Sequence, residues 1–378
     1  MKRKFNIIAL PVAILILSAA AFLYWKGRCP RTPQEDSVIP YVRGIIDGTH
    51  RGEQKMLRSF GTPKVSDALF VIGPKERCEP LALAIMASDD FDNVDARLVP
   101  DYLPDFAGET VCSIRIFDDL ASMAGEPGQE RLRELTVRSV LAAVDTLCYI
   151  SPYDRSGMGR KPLAKLVVLS SPLMCGYGAA DVDSLLHATG CPLPVINPLK
   201  EMASDIYGRS GSQALSIGVI ADPSAIGCGA YSSCLAEAAA AAKSQAPGCF
   251  VYPCGADQDP LISFLDRFIA DGNSGKLDCL IVDDWSVDIE AINNTLGRLV
   301  SGTSAESMTY GNLIADGFRV LDSRKAATMA CYRKIRELNL FTHNISLPVG
   351  VDLMVLPREE DSRELMLLQF NQKFIPQQ

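Results

Sequence analysis

The chain has 378 residues, 48% of them hydrophobic and 22% charged, with 28 Gly and 23 Pro, which excludes a disordered, collagen-like or coiled-coil protein and is enough for one large or two smaller cores. Lys and Arg number 37 against 45 Asp and Glu, a net charge of −8 with no basic stripe to offset it, so nucleic acid is not an expected partner. Twelve Cys stand beside 3 His and 2 Trp, which suggests either a disulfide framework or thiol chemistry.

Residues 5–25 (FNIIALPVAILILSAAAFLYW) are apolar or small almost throughout, with Lys2, Arg3 and Lys4 before them and Lys26, Arg28 and Arg31 after. A run of about 20 such residues crosses a bilayer as a helix. The pattern predicts an uncleaved signal-anchor, with Tyr24 and Trp25 at the interface, and an extracytoplasmic (periplasmic-side) domain. A signal peptide cleaved after Ala19-Ala20-Ala21 and a lipoprotein modified at Cys29 are the alternatives. Residues 26–60, with Pro30, Pro33 and Pro40, are expected to be a tether.

Beyond the tether, apolar β-rich runs alternate with helical patterns. The runs fall at 68–73, 111–117, 166–170, 194–196, 216–221, 249–252, 278–282 and 318–321; the helices include 129–144, 230–244, 260–270 and 323–338. Strands that are continuously apolar are buried on both faces, as in a parallel sheet covered by helices. The expected fold class is therefore α/β with doubly wound, mostly parallel sheets. The expected division is lobe 1 from 61–198 and 317–340, lobe 2 from 199–316, and a C-terminal extension over 341–378 where the pattern fades.

In such sheets ligands bind beyond the carboxyl ends of the strands. Four junctions qualify: Pro74-Lys75-Glu76, Ser170-Ser171-Pro172, Asp222-Pro223-Ser224 and Asp283-Asp284-Trp285-Ser286. Ser171-Pro172 and Asp222-Pro223 each have the form of a helix cap followed by proline, a role worth about 1 kcal/mol that needs no ligand. Asp283-Asp284 follows a fully apolar strand; if one acid caps, the other faces the crevice as a base, a metal ligand or the partner of an ammonium. Ser170, Ser171, Asp222, Ser224, Asp283 and Asp284 are the candidate ligand-binding residues, with Ser170 and Asp284 the candidates for any catalysis. No P-loop, CxxC, HExxH or GxSxG is present, and His50, His187 and His343 are far apart in sequence, so no metal or cofactor is expected.

The order of motifs resembles the aspartate/glutamate racemase superfamily over about residues 166–338. LVVLSSP and TGCPLPVINPLKEM look like its first catalytic strand, helix and next strand; SIGVIADPSAIGCGAY is similar to its strand–turn–helix ending in S-G-x-Y, with Cys228 in place of the serine; VYPCGADQDP, GKLDCLIVDDWS and FRVLDSRKAA follow in order. The resemblance implies two pseudo-symmetric lobes facing across a cleft, where two cysteines racemise an amino acid without a cofactor. Here Ser170 stands at the first cysteine, Asp284 at the second, and Asp222 and Ala225 at ligand-binding threonines, so two-thiol racemisation is not expected. The expected partners are a small carboxylate or amino-acid ligand, the membrane through residues 5–25, and a second copy in a homodimer. A repurposed isomerase, lyase or decarboxylase using Asp284 or Ser170 is the alternative. So is a type I periplasmic-binding-protein plan, which differs in whether the chain crosses between lobes two or three times. If side chains fill the cleft, the binding and enzyme readings both fail there and a scaffold role is the expectation.

Overall fold

A computed structural model of the chain describes residues 38–125, 127–149, 151, 159–210, 214–255, 258–357 and 365–370. The apolar stretch 5–25 and the first part of the expected tether, 26–37, lie outside the described residues, among which no helix is long and apolar enough to cross a membrane. In chain order the helices are α1 Pro40–Ile46, α2 Arg51–Ser59, α3 Lys75–Ala87, α4 Leu120–Met123, α5 Gln129–Val144, α6 Ala179–Thr189, α7 Pro198–Ser210, α8 Ala230–Ala241, α9 Pro260–Ala270, α10 Ile289–Ser301, α11 Ala305–Tyr310 and α12 Ser323–Glu337. The strands are β1 Ala68–Pro74, β2 Thr110–Ile116, β3 Leu147–Cys148, β4 Gly159–Arg160, β5 Ala164–Leu169, β6 Val195–Ile196, β7 Ser216–Ala221, β8 Gly248–Pro253, β9 Leu277–Val282, β10 Ile314–Asp322, β11 Val349–Pro357 and β12 Leu365–Phe370.

Two sheets carry the architecture, β12-β11-β2-β1-β5-β6 and β10-β9-β7-β8, and every pairing within them is parallel except β11 with β12. The chain crosses from the first sheet to the second through α7 and returns through α12. β1 and β5 are buried along their length, as Val- and Ile-rich strands covered on both faces must be. Leu69, Val71, Leu166 and Val168 meet Leu81 and Ile85 of α3 and Ala327, Cys331 and Ile335 of α12. In the second lobe Ile220, Leu280 and Val282 meet Leu261, Phe264 and Phe268 of α9 and Ile292 of α10. Each such side chain contributes about 1.5–3 kcal/mol when removed from water.

Three expectations are corrected. The tether is helical from Pro40: α1 buries Tyr41, Val42 and Ile45, and the Ile39 amide donates to the buried Asp181 carboxylate at 3.1 Å, so apolar burial converts a proline-rich entry into part of the fold. The segment 317–340 does not belong to one lobe, because β10 pairs with β9 in the second sheet while α12 packs on the first core. The C-terminal extension is no appendage: β11 lies parallel to β2, with Val351 opposite Cys112, and β12 adds an antiparallel edge. β11 escapes a periodicity reading because Asp352 interrupts its apolar run, buried and paired with Arg115 of β2.

The return from α12 to β11 is fastened by another buried pair. The Lys165 ammonium, wholly buried on β5, meets Glu109 and donates to the carbonyls of Val65 and Leu340 at 2.9 Å, while the Glu109 carboxylate accepts the Thr342 amide at 2.8 Å. Burial pushes the Lys165 pKa down and Glu109 offsets part of that. Removing one partner of such a pair strands a charge at a cost of about 3–5 kcal/mol, whereas removing both is far milder. Glu109→Gln and Lys165→Met are each expected to lower unfolding free energy by about that amount in urea titrations, and the double variant to recover a good part of it; single variants costing under about 1 kcal/mol would show that the pair holds nothing.

Candidate functional site

The C-terminal ends of β1 and β5 in the first sheet face those of β7 and β9 in the second across the lobe boundary, and Arg77 crosses it. It is the third residue of α3, which starts directly at the end of β1 and so aims its first turn at the strand ends. The guanidinium is 5% exposed and all its contacts are specific. Nε donates to the Ser170 carbonyl at 2.9 Å, Nη1 to the Asp283 carbonyl at 2.5 Å, and Nη2 to Asp283 Oδ1 at 2.7 Å. Asp222 Oδ2 lies 3.8 Å from Nη1, and the Trp285 ring covers the guanidinium face at 3.7 Å.

Asp283 is the centre of the arrangement. Its Oδ1 also accepts Ser323 Oγ at 2.5 Å and its Oδ2 accepts the Tyr231 hydroxyl at 2.6 Å; Ser323 Oγ in turn accepts Trp285 Nε1 at 2.7 Å. Asp283 is 1% exposed, and its amide donates to the Ile220 carbonyl of β7, so the backbone fixes where the carboxylate stands. Burial disfavours the Arg77 charge, but Asp283, Tyr231 and Asp222 more than offset it and hold the pKa above its ordinary value. Burial, reinforced by Asp283, pushes the Tyr231 phenol well up, so Tyr231 stays a donor. The network joins β5, α3, α8, β9 and α12, with every Asp283 oxygen occupied.

The candidate residues distribute around this pair as follows. Ser170 is buried; its Oγ donates to the Ile72 carbonyl at 3.1 Å and its carbonyl serves Arg77. That close approach requires Gly73, where an added Cβ would lie 2.1 Å from Ser170 Oγ. Ser171 is buried, and its carbonyl accepts the Cys175 amide as the helix after β5 begins. Asp222 accepts the Ser224 amide at 2.8 Å and its hydroxyl at 2.5 Å, capping the short turn Pro223–Ala225 while facing Arg77. The two adjacent acids divide their roles opposite to the expectation that set Asp284 in the crevice. Asp284 turns to the Ser286 amide and hydroxyl at 3.0 and 2.6 Å, and Asp283 faces inward. Arg77, Trp285 and Ser323 were missed as site residues. The available signal was a cation three residues past a buried strand, facing an acid pair after another.

Between the strand ends there remains a cavity of about 60 Å³, bordered by Glu76, Arg77, Asp118, Ser171, Asp222 and Ser224. That volume suits a few waters, against about 300–1,000 Å³ for small-molecule pockets. Side chains therefore fill most of the crevice in this conformation, the outcome that favours a scaffold over an open binding cleft, and a ligand could enter only by displacing one of them.

No thiol is set up to react. The eleven cysteines among the described residues are free, and only Cys228, Cys249 and Cys254 are partly exposed. Burial pushes all of them up, Cys112, Cys279 and Cys331 to about 12 and Cys234 to about 11, while Cys175 stands well above the ordinary value through burial, Cys234 and Asp283. A low-pKa thiolate beside a cation, as nucleophilic or carbon-acid chemistry needs, is absent among the described residues. Among them, too, no group of three or more His, Cys, Asp or Glu is placed to hold a metal ion.

No protein-family profile matches the chain, and no curated protein does either. Among solved structures it is similar to glutamate racemase isoform RacE1 from Bacillus anthracis, at 14% identity and a TM-score of 0.43, over 76% of this chain and 88% of that one. It is also similar to glutamate racemase from Francisella tularensis in complex with D-glutamate, at 14% identity and a TM-score of 0.37, over 77% and 88%. At that identity and with TM-scores under 0.5, neither likeness carries an argument about what this chain does.

The thiols yield two expected outcomes. Native alkylation should modify only Cys228, Cys249 and Cys254 among these eleven; rapid labelling of Cys175 would contradict its burial. Folded thiol pKa values lie above the unfolded ones, so the unfolded chain loses protons first. Their contribution is complete below about pH 9 and is lost above it by up to about 1.4 kcal/mol per pH unit for each buried thiol, which urea titrations at pH 8 and 10 will register.

Proposed function

We propose that this protein is a membrane-tethered, racemase-like binding module that has no two-thiol reaction centre and whose cleft is held closed by its own carboxylate. One observation carries the reading: Arg77, the buried cation at the strand ends, is occupied by Asp283 from the opposite lobe. A guanidinium stacked on an aromatic ring and presenting parallel N–H groups is a receptor for a carboxylate. In this conformation Asp283 fills that receptor, so a small carboxylate or amino acid reaches it only by displacing Asp283. Breaking a buried pair costs about 3–5 kcal/mol, which makes binding at this site weak and couples it to lobe opening. The apolar stretch 5–25 with its basic flanks supports the membrane tether.

Turnover finds no support in the geometry: Ser170 Oγ is held by a main-chain carbonyl and Asp284 by Ser286. Full-length protein in detergent should therefore exchange no α-proton of glutamate or aspartate for deuterium. Asp283→Asn removes the competing charge while keeping an acceptor for Arg77. It is expected to lower unfolding free energy by about 3 kcal/mol and to tighten binding of glutamate or succinate at least tenfold, read by calorimetry. Arg77→Met in the Asp283→Asn background should abolish that gain. An Asp283→Asn protein that folds yet gains no carboxylate affinity overturns the self-closed reading, and measurable α-deuteration overturns the non-catalytic one.

A further inference from the structure

A second cavity, of about 370 Å³, opens along the seam where the two cores meet, within the range of small-molecule sites. Its floor comes from both lobes: Val320 of β10 packs against the second core, Met329 of α12 against the first, and Met202 is buried on α7. The charges around it are unevenly used. Asp322 is spent on the amides of Arg324 and Lys325 as the cap of α12, and Lys325 is paired with Asp90 at 2.7 Å. Arg319 and Arg333, which also line it, form no ion pair among the described residues, and two carboxylates of α7, Glu201 and Asp205, line the cavity beside them, so a ligand's anionic ends must be held at the guanidiniums and away from these acids. Arg333 sits on the same face of α12 as Lys325 and Met329, two helical turns beyond Lys325, while Arg319 approaches from β10. Two separated guanidiniums over an apolar floor complement an elongated molecule with an anionic group at each end and methylenes between. Guanidinium forks match carboxylates two bonds at a time.

We propose that this seam cavity binds a short α,ω-dicarboxylate, its ends held by Arg319 and Arg333 and its chain lying over Val320, Met202 and Met329. The site is separate from the Arg77–Asp283 cleft and does not rest on the function proposed there. It adjoins that cleft through α12, because Asp322 and Lys325 line the cavity while the next residue after Asp322, Ser323, bonds Asp283.

The test uses full-length protein in detergent, with glutarate as the probe and sulfate at matched ionic strength as the control anion. Glutarate should raise the melting temperature saturably and give a calorimetric isotherm, and sulfate should not. Arg319→Gln and Arg333→Gln, both at positions outside the core, should each weaken glutarate at least fivefold and together abolish binding, with circular dichroism unchanged. The Arg77→Met/Asp283→Asn protein should bind glutarate with the wild-type constant, which separates this site from the cleft. An equal response to sulfate, no saturable response up to about 20 mM glutarate, or undiminished binding by the double arginine variant overturns the proposal.

Discussion

One guanidinium organises the meeting of the two lobes. Arg77 leaves the first lobe, Asp283 receives it in the second, and Trp285 passes in the other direction to lie over the guanidinium and against the first core. Each charge is deeply desolvated, so neither is tolerable without the other. That constraint explains why so many surrounding groups point inward. The carbonyls of Ser170 and Asp283 take two further guanidinium donors, and Tyr231 and Ser323 complete the carboxylate. A buried ion pair is a poor source of net stability but a strict selector of geometry. Here it selects the closed relation of two sheets, whose strand ends would otherwise flank a ligand.

The same physics appears twice more in the first lobe. Lys165–Glu109 ties the chain returning from α12 to the entrance of the sheet, and Arg115–Asp352 sets β11 beside β2. In all three cases a charge sits inside or directly after an apolar strand and is answered from a distant part of the chain. Together they specify how the interrupted first lobe closes after the second has been inserted, something a hydrophobic surface alone does loosely. The thiols do the opposite work. Buried and neutral, they behave as small apolar side chains, and the chemistry their number suggested is not at the strand ends.

Much of the architecture was legible in the sequence because it is local. The alternation of Val- and Ile-rich runs with helices marks β1, β5, β7 and β9, and proline after Asp222 marks its cap, since both follow from side chains within a few residues of one another. The helical entry at Pro40–Ile46 was not legible, because a seven-residue helix with prolines before it is stable only through the surface its Tyr41, Val42 and Ile45 bury. β11 was obscured by Asp352, whose place in a strand makes sense only once Arg115 lies beside it.

At the site, sequence alone determined which segments arrive: strand ends followed by Ser170-Ser171, Asp222 and Asp283-Asp284, each tied to a turn by short-range rules. It did not determine which acid faces inward. Asp284 has a local partner two residues away in Ser286, whereas the partner of Asp283 is Arg77, 206 positions earlier. Capping and turn propensities act over a few bonds, and ion pairing acts through space. Only the packing of two sheets end to end decided that the acid at the crevice would meet an arginine of the same chain.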